Sequence, residues 1–327
     1  MANIRVGMIG GDLHALYYGA QMFDYDPIAM RAHGRAHGAL FYHYLHYNDP
    51  AVMTVPYVGG FELVKAWDAT PEDAEALVAC FGGEVCADPE ACSDDVDLVF
   101  IPECNGDGST HLALATPGLE KGVPTFVDKP LAYRLADAKA ILQLGEEHDV
   151  AVMSLSMLRM VPDALRFRDR LQEVGSRVGY GSIKGGGTSM AGHIHAISIA
   201  QAIFGDGVAA VEAMGPGELS YMHLDYGGRQ DRPEAGVMLN NDSGPTYHCS
   251  FYVSAFGEAG AIHSGQIGDF EFPFGSALIL GSIKTMVVTG EPQADHDQMI
   301  ECIAVAEAGR LAQQEGRRVS LAEVMDA

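Results

Sequence analysis

The sequence predicts an α/β protein in two parts: a doubly wound parallel sheet over 1–150, then an α+β part over 151–327 built on a large, mostly antiparallel sheet. Three observations carry this expectation. Strand-like and helix-like segments alternate through the first half, which implies right-handed βαβ crossovers. From about Gly179 the texture changes to successive glycine-rich strands. The length of 327 residues accommodates two domains, each with its own core.

Taken in order, Ile4 to Ile9 reads as a strand that ends in Gly10-Gly11, and Leu13 to Phe23 has helical apolar spacing. Phe61 to Asp68 is the next strand. It leads into a helix over Pro71 to Phe81, with Thr70 as N-cap and Pro71 at the first helical position. Asp97 to Ile101, Thr125 to Val127 and Ala151 to Ser154 read as buried strands; His111 to Lys121 and Leu135 to His148 read as helices. In the second part the expected strands are Gly179 to Lys184, Val208 to Met214, Ala235 to Asn240, Thr246 to Ser254, Ala261 to Ile267 and Ser276 to Val288. Helices are expected over His195 to Phe204 and Asp297 to Glu315, the latter placed to pack back on the first domain.

Composition excludes several partners. A formal charge of -24, from 44 acidic against 20 basic residues, repels nucleic acid and anionic membrane surfaces. No apolar run of membrane-spanning length stands out, and the start enters a strand without a leader, so a cytoplasmic protein is expected. Six cysteines lack a CxxC pair, which signals neither zinc nor a disulfide framework. Between the first helix and the second strand lies a long segment rich in His33, His37, Tyr42, His43, Tyr44, His46 and Tyr47. It reads as a lid or interface element. Its histidines lack the carboxylate or cysteine that would complete a metal set, and no metal is expected.

Chemistry concentrates at strand ends. Val127-Asp128-Lys129-Pro130 puts a lysine between a buried strand and a proline that stops it, so Lys129 projects where open α/β sheets bind ligands. A lysine there can polarise a substrate oxygen or relay its proton. The alternative is a solvated lysine in a turn. The turn Gly10-Gly11-Asp12-Leu13-His14-Ala15 falls short of the dinucleotide fingerprint G-x-G-x-x-G/A, because Asp12 occupies the second glycine's place. A carboxylate there repels a pyrophosphate unless it turns away. Asp68, ending the second strand, is placed to accept from a ribose 2′-hydroxyl and to repel a 2′-phosphate, which favours NAD over NADP; its other reading is a cap for the following helix.

These residues, with Arg5-Val6-Gly7-Met8-Ile9-Gly10, Trp67-Asp68 before Pro71-Glu72-Asp73-Ala74-Glu75-Ala76, His111 before Lys129, and the C-terminal Val305-Ala306-Glu307-Ala308, give a chain that resembles the glucose-fructose oxidoreductase, inositol dehydrogenase and rhizopine-catabolism (Gfo/Idh/MocA) family. Asp128-Lys129-Pro130 looks like the family's E-K-P motif. The resemblance implies a Rossmann domain, a C-terminal sheet domain used for oligomerisation as a dimer or tetramer, and NAD(P)-dependent oxidation or reduction of sugars, inositols and polyols. It places cofactor contacts at Gly10, Gly11, Asp12, Leu13, His14, Asp68, Pro102, His111, Asp128 and Lys129. Substrate contacts fall to Lys129, Arg159, His193 and His195, with Lys129 and His195 catalytic. The chain departs from the pattern at Ala191, where the family carries an aspartate four residues before its histidine, and at Ser198. His193 is one substitute for the missing carboxylate. Two other readings stay open: a redox-neutral lyase, hydratase or glycosidase with a tightly held NAD or none, and a sensor without catalysis. For the oligomer, Tyr252, Phe256 and Ile262 are expected to share one open sheet face.

Overall fold

A computed structural model describes residues 2–33, 57–104, 106–187, 189–241, 250–268 and 271–326. Two compact units emerge. The first is Met1–Ala132, Ala136–Leu155 and Ser276–His296; the second is Tyr133–Leu135, Ser156–Gly275 and Asp297–Ala327. The chain therefore passes between them several times, where the sequence reading drew one cut at residue 150.

The first unit holds six strands: β1 (Ile4–Ile9), β2 (Phe61–Trp67), β3 (Glu84–Val85), β4 (Leu98–Ile101), β5 (Thr125–Val127) and β6 (Val152–Met153). They pair in the order β3-β2-β1-β4-β5-β6, all parallel. Such order forces helical crossovers: α1 (Leu13–Met22), α2 (Pro27–Ala32), α3 (Pro71–Phe81), α4 (Pro89–Cys92), α5 (His111–Glu120) and α6 (Leu135–Glu147). Because β1 lies between β2 and β4, the winding reverses beside it. The carboxyl ends of β1 and β4 consequently flank the crevice where sheets of this kind bind ligands. Central strands are buried on both faces, as the wholly buried Leu-Val-Phe-Ile of β4 shows. Phe100 stacks on Phe126 at 4.8 Å, and Tyr18 from α1 meets Phe100 edge-on at 5.2 Å, which fixes α1 over the middle of the sheet. Thr70 occupies the N-cap position of α3 but makes no side-chain cap bond; the Asp68 carboxylate accepts from the Thr70 N–H instead.

The second unit carries α7 (Pro162–Asp169), α8 (Met190–Phe204) and a sheet of β7 (Val178–Lys184), β8 (Ala210–Met214), β9 (Tyr221–Asp225), β10 (Val237–Asn240), β11 (Ser250–Gly257), β12 (Gly260–His263), β13 (Ile267–Gly268) and β14 (Val319–Ser320). Its order is β12-β11-β7-β10-β9-β8-β14, with β13 on β11. Only β7 and β10 run parallel among these pairs. Strand β9 was not read from the sequence, and the expected strand over Ala261 to Ile267 is two short ones.

Two expectations are overturned here. Ser276 to Val288 is helical, part of α9 (Phe272–Thr289), and not a strand. Its Ile279, Leu280, Ile283 and Met286 are fully buried at helical spacing. This is also the helix, among the described residues, long and apolar enough to cross a membrane, where the sequence reading found no such run; its buried stripe is that of a core helix. The other concerns Ile262. It pairs with Ala255 and both are buried, whereas Phe256 pairs with Ala261 on the opposite, exposed side. Alternation along a strand puts Tyr252 and Phe256, but not Ile262, on the open face. The remaining helices are α10 (His296–Glu315) and α11 (Leu321–Met325). His37, His43, His46 and Tyr42 to Tyr47 lie outside the described residues, as do Thr246 to Cys249.

Candidate active site

In the first unit four strand ends deliver side chains to one edge of the sheet. Gly10 closes β1 with φ +107°, a conformation that L side chains rarely adopt. Gly11 follows in close approach to α3, since a Cβ there would stand 2.9 Å from the Asp73 Cβ. The turn is thus built from backbone, as a pyrophosphate cradle requires. Asp12 does turn away. Its Oδ1 accepts from the His14 N–H at 2.9 Å, capping α1, and its Oδ2 accepts from the Cys104 N–H at 2.6 Å. The carboxylate that interrupts the fingerprint is therefore occupied with backbone on both oxygens.

Asp68 at the end of β2 accepts from the Gly11 N–H at 2.5 Å and from the Thr70 N–H at 2.7 Å. It ties the glycine turn to the second strand and stays half-buried at the rim of a cavity of about 260 Å³. Gly10, Asp12, Trp67, Ala69, Glu103, Thr110 and Leu114 complete the lining. Three carboxylates border this space. The indole of Trp67 and the side chain of Leu114 give it apolar walls, so it suits a nucleoside without an added phosphate. These features fit NAD: the turn and the α1 N-terminus for its pyrophosphate, Asp68 for its ribose.

Glu103 and Cys104 follow β4, and sequence reading placed only Pro102 there. The Glu103 carboxyl is held below the usual carboxylate range by His111, with help from the Thr110 hydroxyl, against the effect of burial. His111, expected at the cofactor, is fully buried. Its Nδ1 bonds the Pro130 carbonyl at 2.8 Å and its Nε2 lies 3.4 Å from Glu103. The ring supports the turn after Lys129 and reaches the cavity only through Glu103. Asp128 continues the pairing of β5 through its N–H to the Ile101 carbonyl at 2.8 Å, and its side chain pairs with His14. Lys129 comes next, 5% exposed, at a cis Lys129-Pro130 bond. Leu13 is half-buried in the first turn of α1.

The second unit presents a different set. His195, on α8, is 5% exposed; its Nδ1 lies 2.7 Å from the Ser156 hydroxyl, and Phe251 packs edge-on against the ring at 6.0 Å. His193 does not fill the place of the absent aspartate. Burial, and then the charge of Arg310, push its imidazole down to about 3, and its Nε2 faces the Met190 sulfur. Ser156, which no local motif marks, is a polar partner of His195. Arg159 donates to Gln201 and to Gln298 Oε1, the latter at 2.7 Å, so among the described residues its charge is answered by neutral amides and not by a surface carboxylate.

Fold and turn together define a dinucleotide-binding Rossmann protein. Residues 32–156 match the model of an oxidoreductase family with an NAD-binding Rossmann fold, Gfo/Idh/MocA. The match begins beyond the glycine turn, where Asp12 departs from the fingerprint. No curated protein matches the chain. Among solved structures it is similar to the myo-inositol 2-dehydrogenase of Lactobacillus plantarum, at 13% identity and TM-score 0.74, covering 97% of this chain and 99% of that one. The scyllo-inositol dehydrogenase of Lactobacillus casei, solved with NAD(H) and scyllo-inositol, aligns at 13% identity and TM-score 0.71 over 98% and 99%. A myo-inositol dehydrogenase of Corynebacterium glutamicum aligns at 18% and 0.69 over 98% and 99%. These likenesses show the shared fold.

Proposed function

We propose that the protein is an NAD-dependent dehydrogenase acting on a secondary alcohol of a sugar, polyol or inositol-like substrate. The observation that carries this reading is Lys129, buried at the end of β5 in the same unit as the glycine turn and the Asp68 cavity. Bound NAD supplies the hydride acceptor or donor. Lys129 donates a hydrogen bond to the reacting oxygen, stabilises its developing negative charge and relays its proton. Asp128 and the His111-held turn fix the direction of the lysine. In the second unit His195, oriented by Ser156, is the proposed base or orienting group for substrate hydroxyls, and the inositol dehydrogenases similar in fold support the choice of substrate class.

The same reading extends to assembly and location. Tyr252 and Phe256, 48% and 38% exposed on the open face of the second sheet, suit burial against a second copy of this chain. Free Cys80, Cys86, Cys92, Cys104 and Cys302 accord with a reducing, cytoplasmic setting. Incubation with NAD and a panel of inositols, sugar alcohols and aldoses, followed by the absorbance of reduced nicotinamide, tests the function. Reduction with at least one polyol is expected. Bound NAD with no reduction across the panel, but with conversion of a glycoside or loss of water from a sugar, would establish the redox-neutral alternative instead.

A further inference from the structure

The second unit holds a cavity of about 440 Å³ that the proposed chemistry does not use. It is bounded by the turn Leu171–Val174, the start of β7, the C-terminal end of α8 and the loop from β9 to β10. Phe204 on its wall stands nine residues beyond His195, roughly 13 Å along α8 at about 1.5 Å per residue. Leu171, Val178, Ile203, Phe204 and Pro233 make the walls apolar. The guanidiniums of Arg168, Arg177 and Arg232, against the single carboxylate of Asp231, make the lining positive in a chain whose net charge is -24.

The three guanidiniums are not equivalent. Arg232 is spent, since it pairs with Asp206 at 2.6 Å and with Asp231 at 2.8 Å. Asp231 is held a second time by Arg229 at 2.9 Å, and Arg229 and Arg232 keep its carboxyl below the usual carboxylate range. Arg168 reaches Asp169 at 3.4 Å in solvent, a contact worth little. Arg177 differs from both. Its Nε donates to the Arg232 carbonyl at 2.9 Å and its Nη2 to the Arg229 carbonyl at 2.6 Å, which uses two of the five N–H groups of the fork and fixes its plane. Among the described residues no carboxylate pairs with it. Glu258 comes near the rim but accepts from the N–H and the hydroxyl of Ser176, at 3.2 and 3.0 Å. A half-buried guanidinium, held in place and with N–H groups to spare beside an apolar wall, is suited to receive a phosphate or carboxylate group through parallel hydrogen bonds.

We propose that this cavity binds a small organic anion, its phosphate or carboxylate group held by Arg177 with Arg168 and its apolar body laid against Leu171, Phe204 and Pro233. The volume falls in the range of small-molecule sites, about 300–1,000 Å³, and a bare inorganic ion would leave the apolar wall uncovered. The net charge of -24 does not forbid an anion: at physiological salt, charges are screened beyond about 8 Å, so the guanidiniums of the lining outweigh carboxylates elsewhere on the surface.

The site is independent of the dinucleotide reading, and phenyl phosphate, benzoate and inorganic phosphate are the probes. In calorimetric titration of full-length protein, phenyl phosphate or benzoate is expected to bind at one site per chain, and inorganic phosphate roughly tenfold more weakly or worse, for want of apolar contact. Arg177→Ala is expected to weaken the organic probe by roughly tenfold or more, the effect of losing charge-assisted hydrogen bonds. Gln172→Glu, an exposed change that adds a carboxylate to the lining, is expected to weaken it as well, and serves should Arg177→Ala fail to fold. Saturating NAD is expected to leave the affinity for the probe unchanged. No heat from either organic probe, unchanged affinity in the variants, or inorganic phosphate binding as tightly as phenyl phosphate would overturn the proposal. Displacement of the probe by NAD would place it in the cavity beside Asp68 and overturn it too. Should NAD itself give no heat, the dinucleotide reading fails while the variants still decide this site.

Discussion

At the ends of β1, β2, β4 and β5 the first unit gathers Asp12, Asp68, Glu103, Lys129 and the His14–Asp128 pair; around His195 the second unit gathers the Ser156 hydroxyl, the Phe251 ring and a neutral His193. The first site is made of charges, most of them answered by backbone N–H groups or by each other. The second sets a hydroxyl and an aromatic ring around His195, with the charge of Arg310 felt at His193. Charge that is pre-oriented in a partly desolvated site stabilises charge developing in a reaction, whereas neutral hydrogen-bonding groups mainly fix orientation. On the proposed function, this difference supports Lys129 for the chemical step and His195 as an orienting group.

Replacing Lys129 is the strongest way to break this division. Lys129→Ala is expected to lower turnover by roughly two to four orders of magnitude, the effect of losing a general acid or base, with NAD affinity largely kept. Steady-state kinetics on any accepted substrate checks it, and near-normal turnover would move the chemistry out of the first unit.

The two histidine environments also separate in their dependence on pH. His14 has its folded pKa raised to about 10 from 6.5, so the stability it contributes is fully present below about pH 6.5 and is lost as pH rises toward 10. His193 is depressed to about 3, so unfolding takes up a proton in acid, and stability is lost as pH falls below about 6.5 toward 3. Urea melts across pH should show a few kcal/mol lost on the alkaline side, a loss flattened in His14→Gln, and an acid-side loss reduced in His193→Leu. An alkaline limb unchanged by His14→Gln would deny the pair its charge.

Ser156→Ala probes the second site with a smaller change. Loss of one neutral hydrogen bond is worth about 0.5–1.5 kcal/mol, so kcat/KM is expected to drop by roughly 2- to 12-fold, with a shift in the pH profile of the step that His195 serves. A loss as large as that of Lys129→Ala would mean that the second unit carries chemistry of its own.

How much of this was legible follows from how local each signal is. Alternating strands and helices, the helix over Pro71–Phe81 and the end of β5 before Pro130 are set by neighbours in sequence, and the structure has them there. Helix α9 was read as a strand because Ile283, Val287, Val288 and Thr289 are β-branched, and the sheet-like texture preceding it favoured that period; packing of Ile279, Leu280, Ile283 and Met286 decided for the helix. Ile262 was assigned to the wrong face because one residue of register reverses a strand, and pairing with Ala255 is not visible in sequence. Lys129 and Asp68 stand just beyond the ends of β5 and β2, where the sequence puts them. Ser156 carries no local signal, since its partner His195 lies 39 residues away.

The first unit's cavity offers the most direct measurement. Asp68, Asp12 and Glu103 border it, and the account requires them to admit a ribose hydroxyl and exclude a phosphate. Calorimetric titration of NAD and of NADP into the full-length protein, repeated with Asp68→Ala, should show NAD binding at least tenfold tighter in the native chain and a narrowed preference in the variant. Tighter binding of NADP, or no heat from either dinucleotide, would contradict the account.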